Sequence, residues 1–418
     1  MLAKHFRMFL IVAVLFCVGV AQAIELTMYC NPIEAPYVRE CVKEWEKSSG
    51  NTVRILTGPA ASTDVLALYQ QQLAAGTSDV DLYEVDVIWP GLLANHLLDL
   101  KPYSKGAEKL HTPPVIANNT VDGKLVAMPL YLDAGMMYYR KDLLDKHGLA
   151  IPGTWQELIA AARTIMSAER AEGDQKLWGL VFQGRAYEGL TCTALEWIDS
   201  YGGGTIVDDE GKITVDNPAA VAALKEAASW IGSISPEGVL NYAEEEARGV
   251  FQSGNAIFMR NWPYAWALAE AEDSPVKGKI GIMPVPRGGE GEKSTGALGG
   301  WGMAVSKYSN HPAEATDLLF YLTGPEGQKK FSLLGTYTPS VVSLFADPDI
   351  QKKNPVAILD VFNNAVPRPA GVTGTKYNRV SSEFYNAVHS VLSGNASAEE
   401  ATRGLEASLR RIGRGGWK

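Results

Sequence analysis

Apolar and polar positions along the chain fall into two alternating rhythms. Ile24–Cys30, Thr52–Leu56 and Asp81–Ile88 are short runs rich in apolar and β-branched residues, which predicts strands. Between the first two, Ala35–Ser48 repeats at helical spacing, with Tyr37, Cys41, Val42 and Trp45 on one face, and Gly50 stops it. Ser62-Thr63-Asp64 is expected to cap a second helix that runs to about Ala75 and stops at Gly76. This strand–helix–strand–helix–strand order predicts a mainly parallel sheet with helices on its faces.

The rhythm continues. Lys124–Leu132 and Met136–Arg140 read as strands, and Asp133-Ala134-Gly135 between them is a candidate hinge. Thr154 and Glu157 form a capping box for a helix from Trp155 to about Ala171. Leu177–Phe182 and Ala256–Met259 read as strands; Tyr187–Tyr201, Asn217 to about Gly232, and Glu244–Gln252 as helices. Lys279–Met283 and Trp301–Val305 are expected to return to the first sheet, and Pro286–Gly300 to be an exposed loop. Pro312–Leu322, Glu326–Leu334, Asn354–Asn363, Lys376–Leu392 and Ala398–Arg410 predict the remaining helices. A chain of 418 residues exceeds one compact domain, so two lobes are expected.

The N-terminus differs from all this. Lys4 and Arg7 precede an apolar run from Met8 to Val20, and Ala21-Gln22-Ala23 supplies small residues where a signal peptidase reads. Residues 1–23 are expected to be a cleaved signal peptide, which implies export to the periplasm. Losing Lys4 and Arg7 moves the net charge from −9 to about −11, which argues against a nucleic-acid partner. Cys17 leaves with the signal; Cys30, Cys41 and Cys192 remain. Cys30 and Cys41 could pair in an oxidising compartment, or all three could be buried and inert. The mature histidines are scattered, with none at i, i+3 or i, i+4, so no metal site or cofactor is expected.

Several aromatic or charged groups sit beside Gly or Pro at strand ends: Val85-Asp86 with Trp89-Pro90, Pro129 to Gly135, Arg260-Asn261-Trp262-Pro263-Tyr264, Gly299-Gly300-Trp301 and Pro367-Arg368-Pro369. Such positions suit ligand contacts in α/β proteins. The chemistry fits a sugar. Carboxylates accept hydroxyl protons, Arg donates a planar fork, and an aromatic ring covers an apolar C–H face.

These runs carry a family resemblance. Leu132 to Leu144, Thr154 to Leu158, Tyr187-Glu188-Gly189-Leu190, Arg260 to Trp266, Asp273 to Lys279, Leu298 to Trp301 and Asn364 to Pro369 resemble the solute-binding proteins of ABC sugar importers, particularly the trehalose/maltose-binding group. The resemblance implies an α/β, two-lobed periplasmic-binding-protein fold with three interlobe crossings and the ligand in the hinge cleft. Lobe 1 would be 24–132 and 279–335; lobe 2 would be 133–278 and 336–418. It implies a monomer that binds a disaccharide, delivers it to the membrane permease and catalyses nothing. It places Glu34, Asp86, Tyr131, Asp133, Trp262, Tyr264, Gly300, Trp301 and Arg368 at ligand-contacting positions. Glu34, Asp86 and Asp133 would accept hydroxyls, Arg368 would donate, and Trp262, Tyr264 and Trp301 would form stacking walls.

One departure concerns the second sugar ring. Members of that group can carry a Thr and an Arg early in the second helix region, whereas Ala60 to Leu66 holds no Arg. Donors to one sugar ring would be missing or replaced by Ser62 or Thr63, which leaves the second glucosyl unit open, with trehalose, maltose, sucrose and a glucosyl-polyol as candidates. Other readings are weaker. A glycosidase would need two carboxyl groups flanking the scissile bond, one with a raised pKa. Gly291-Glu292-Lys293-Ser294-Thr295 has Glu292 where a phosphate loop needs Gly, and the chain has no G-x-S-x-G elbow.

Overall fold

Two sheets organise the chain. The computed structural model describes residues 23–355, 362 and 364–417; the expected signal peptide (residues 1–23, all but its last residue) and most of the helix expected at Asn354–Asn363 lie outside them. The strands are β1 (Glu25–Cys30), β2 (Thr52–Thr57), β3 (Leu82–Asp86), β4 (Thr120–Val121), β5 (Lys124–Leu125), β6 (Met128–Ala134), β7 (Met136–Arg140), β8 (Trp178–Val181), β9 (Ala256–Asn261), β10 (Ile280–Met283) and β11 (Leu298–Val305). The first sheet has the order β2-β1-β3-β11-β6 and the second β10-β7-β9-β8; β4 and β5 form a separate short hairpin.

The β1–β3 segment folds as its rhythm predicts. β2 and β3 both pair with β1 in parallel, joined by helices Ala35–Ser49 and Ser62–Ala75. Those helices end at Gly50 and Gly76, each with a positive φ that closes the last turn. Elsewhere the expectation of mainly parallel sheets needs correction. β11 runs antiparallel to both β3 and β6, and in the second sheet only β8 with β9 is parallel.

Three further readings change. β10 does not return to the first sheet; Ile280 to Met283 pair with Arg140 to Met137 of β7 in the second. β11 begins at Leu298, and Thr295 and Ala297 are buried, so Pro286–Gly300 is not all exposed loop. Residues beyond 335 do not leave the first sheet at once: Thr338 bridges Leu132 of β6, and helix Pro348–Lys353 packs on helix Pro325–Gly335.

The second lobe's core gathers helices Trp155–Ala171, Glu188–Ser200, Pro218–Trp230, Tyr377–Leu392 and Ala398–Ile412 around a Trp155, Trp197 and Trp230 cluster. The Thr154–Glu157 capping box is present, with the Glu157 N–H donating to Thr154 Oγ1 at 3.2 Å.

The chain passes between sheets at Gly135 and between β10 and β11, and it changes lobe a third time between helix Pro348–Lys353, on helix Pro325–Gly335, and helix Tyr377–Leu392, on helix Glu188–Ser200. The first two passages touch. Gly135 N–H donates to the Ala297 carbonyl at 3.1 Å, and Ala297 N–H donates to Glu196 Oε1 at 3.0 Å. A Cβ on Gly135 would lie 1.7 Å from Glu196 Oε1, so only glycine fits there.

Candidate functional site

The walls between the two sheets are set by strand register. Trp301 of β11 stands opposite Asp86 of β3 on one side and Tyr131 of β6 on the other, and Gly299 opposes Asp133. Tyr131 and Asp133 are two residues apart, so they leave the same face of β6. Gly300 adopts φ +126°, and a Cβ there would lie 2.6 Å from the Tyr131 carbonyl. The register shifts at Trp301/Gly302, and such a bulge re-aims the side chains beside it.

Glu34, Asp86, Tyr131, Asp133, Trp262, Tyr264, Gly300, Trp301 and Arg368 all line one cavity, together with Ser62, Glu188 and Glu244. The cavity is narrow, about 70 Å³.

Arg368 is more occupied than expected. Its guanidinium donates to Asp86 Oδ1 at 2.8 Å and to Glu188 Oε1 at 3.0 Å. It thereby ties β3 of the first sheet to helix Glu188–Ser200 of the second lobe. Glu188 also accepts from Ser381 Oγ at 2.6 Å and Tyr377 Oη at 2.5 Å. Burial raises the Glu188 pKa, opposed by the Arg368 charge and these hydroxyls. Among the described lining residues, Arg368 is the one base.

Two carboxyls are left open. Asp133 Oδ1 and Glu34 Oε2 are buried with no hydrogen-bond partner; Glu34 Oε1 accepts from Tyr131 Oη at 2.9 Å. Burial raises both pKa values. The Glu84 charge raises Glu34 further, while Arg260 partly offsets the rise at Asp133. Buried polar atoms without partners are costly, so these two are poised to receive donors.

The aromatic walls are unequal. Trp262 and Trp301 are partly exposed, whereas Tyr264 is almost wholly buried and donates to Glu245 Oε1 at 2.7 Å. Trp301 packs edge-on against Trp89, with centroids 5.1 Å apart. Trp262 is backed by the Arg260 guanidinium 4.1 Å from its ring centroid.

Glu188 and Glu244 were not expected in the wall. Glu188 was visible only as part of the Tyr187-Glu188-Gly189-Leu190 run, where it reads as the second residue of the helix expected at Tyr187–Tyr201. Thr63 does not cap its helix either: the N-cap is Ala61, with no side-chain bond, and Thr63 Oγ1 accepts from the Glu188 N–H of the other lobe at 3.2 Å. Cys30, Cys41 and Cys192 are free and buried.

Comparison with known proteins matches this architecture. Residues 31–329 match the bacterial extracellular solute-binding protein family. A probable ABC transporter-binding protein of Deinococcus radiodurans is 50% identical over 404 residues, 95% of this chain and 96% of that protein. The maltodextrin-binding protein MdxE of Bacillus subtilis is 25% identical over 401 residues, 92% of this chain and 90% of its own. The solved structure of maltose-bound T. maritima MalE3 superposes with a TM-score of 0.87 at 36% identity, covering 93% of this chain and all of that one.

Proposed function

The chain belongs to the bacterial extracellular solute-binding protein family, and from that membership we propose that its cleft binds a disaccharide of the maltose or trehalose kind. It is the solute-binding component of an ABC transporter for sugars or oligosaccharides, it has the two-lobed periplasmic-binding-protein fold, and it is not an enzyme.

The observation that carries the disaccharide reading is the pair of unpartnered carboxyl oxygens, on Glu34 and Asp133, in a cleft also walled by Trp262 and Trp301. Hydroxyls of a sugar would donate to those oxygens while its C–H faces lie on the indoles. A hydrogen bond to a charged group is worth roughly 1.5–3 kcal/mol, so two or three suffice once ordering is met. In this reading Glu34, Asp86, Tyr131, Asp133, Trp262, Tyr264, Gly300, Trp301 and Arg368 form the binding wall, and Glu188 and Glu244 join it. Arg368 serves as a bridge between lobes more than as a free donor. The wall at Ala60 and Ser62 holds no Arg for a second ring, and the candidates are taken in the order trehalose, maltose, sucrose, then a glucosyl-polyol.

Function follows from closure. Ligand contacts on both lobes stabilise the closed form, so binding shifts the population toward it, and the permease reads the closed shape. The protein acts as a periplasmic monomer in this account. Lobe 1 comprises 24–134 and 298–355, and lobe 2 comprises 136–283 and 370–417. A thermal-shift screen against those four sugars tests the proposal, since a ligand that binds only the folded state raises Tm. A clear rise with maltose or trehalose is expected; no rise with any disaccharide would overturn it.

A further inference from the structure

Helix Ser62–Ala75 meets the second lobe at its first turn. Its body belongs to the first lobe, where Val65, Leu66 and Tyr69 pack with Tyr83 and Val85 of β3. Ser62 lines the cleft, whereas neither Thr63 nor Asp64 is among the described lining residues. Those two reach across instead. Thr63 Oγ1 accepts from the Glu188 N–H at 3.2 Å, and Asp64 Oδ2 lies 3.6 Å from Arg185 Nη2.

The receiving side is a braced turn. The Gly184 and Arg185 N–H groups both donate to the Tyr242 carbonyl at 3.1 Å. The Arg185 guanidinium lies over the Tyr187 ring, 5.6 Å from its centroid, and Tyr187 Oη donates to Glu244 Oε2 at 2.6 Å. The turn leads into helix Glu188–Ser200, and the first N–H groups of a helix have no acceptor within it. Tyr187, the N-cap, supplies no side-chain bond, so the Glu188 N–H takes its acceptor from the other lobe. Thr63 does for this helix what a cap residue ordinarily does from the adjoining segment.

We propose that Thr63 and Asp64 form a clasp between the lobes, which sets sugar affinity by holding the cleft shut and not by touching the sugar. The part that concerns affinity rests on the sugar-binding reading above. Both partners are fixed within their own lobes, so parting the lobes breaks the contact. The Glu188 N–H then turns to water, and the closed form loses one net hydrogen bond, a factor of about three to ten in the closure equilibrium. Affinity changes by no more than that factor, because the clasp acts only through the population of the closed form. For the same reason it does not distinguish one sugar from another. The ion pair adds less: both of its side chains are about half exposed, and salt screens such a pair.

Calorimetry and stopped-flow kinetics of wild type and Thr63→Val with maltose and trehalose test this. Val matches Thr in size and removes the acceptor. Affinity is expected to fall about three- to tenfold, by the same factor for every sugar that binds, through faster dissociation and with ligand-free Tm unchanged. Asp64→Asn should cost about twofold at low salt and nothing at high salt. Unchanged affinity in Thr63→Val would overturn the clasp, and so would a loss confined to one sugar, which would set Thr63 against the sugar itself. A second readout needs no ligand. By nuclear magnetic resonance, the Glu188 amide of ligand-free wild type should exchange its hydrogen at least about twofold more slowly than that of Thr63→Val. Equal exchange would overturn the clasp whether or not a sugar binds. A wild type that shows the exchange difference but binds no sugar would overturn the functional reading and leave the contact between lobes standing.

Discussion

The molecule holds two buried carboxylate clusters that follow opposite rules. At the hinge, Arg260 donates to Glu196 through Nε at 2.8 Å and again through Nη2, and to Gln183 Oε1 at 2.9 Å, while Gln183 returns a bond to the Arg260 carbonyl at 3.1 Å. Glu196 also receives the Ala297 N–H from the neighbouring crossing. Every charge there has a partner inside the protein. On the cleft floor, Glu34, Glu84 and Asp133 each keep one buried oxygen without a partner. The difference teaches where rigidity and receptivity reside. A satisfied buried pair fixes two crossing strands in one geometry, and an unsatisfied one waits for a ligand.

Neutralising residues in each cluster should separate these roles. The largest effect is expected at the hinge. Arg260→Ala leaves Glu196 buried and unpaired, and denaturant unfolding should show a loss of about 3–5 kcal/mol. Trp301→Ala comes next: removing an aromatic wall of the cleft should weaken sugar binding by about 2 kcal/mol or more in calorimetry, with a smaller change in stability. Asp133→Asn should weaken binding by roughly 1.5–3 kcal/mol, yet leave the ligand-free protein as stable as wild type or more so. If Asp133→Asn lowered stability as Arg260→Ala does, the contrast between the clusters would fail.

The smallest effect is a pH dependence of stability. Burial gives Glu84 a higher pKa folded than its ordinary 4.5. The folded state therefore binds its proton more tightly, and that stabilisation is full below about 4.5 and is lost as pH rises through about 7. Relative to Glu84→Gln, wild-type Tm should decline by a few degrees between pH 5 and pH 8. A constant difference would show that Glu84 does not titrate there.

Much of this was legible in the sequence because it is local. The capping box at Thr154 and the stops at Gly50 and Gly76 depend on neighbours a few residues away. Five of the wall residues, Trp262, Tyr264, Gly300, Trp301 and Arg368, were legible through the Trp-Pro-Tyr, Gly-Gly-Trp and Pro-Arg-Pro runs. What escaped depends on register over long separations. Four residues of β10 carry no mark of which sheet they join. The Arg368 bridge spans 282 residues to Asp86 and 180 to Glu188. Thr63 reads as a cap until the other lobe supplies its donor. Glu84 reads as one residue of a buried strand, and only the Asn31 N–H that donates to it at 2.8 Å shows why a carboxyl is there.

The most direct measurement is isothermal titration of maltose and trehalose into wild type and into Asp133→Asn at pH 6. The account predicts saturable one-to-one binding of at least one sugar to wild type, weakened at least tenfold in a variant that melts no lower. Equal affinity in the two proteins, or none in wild type, would contradict it.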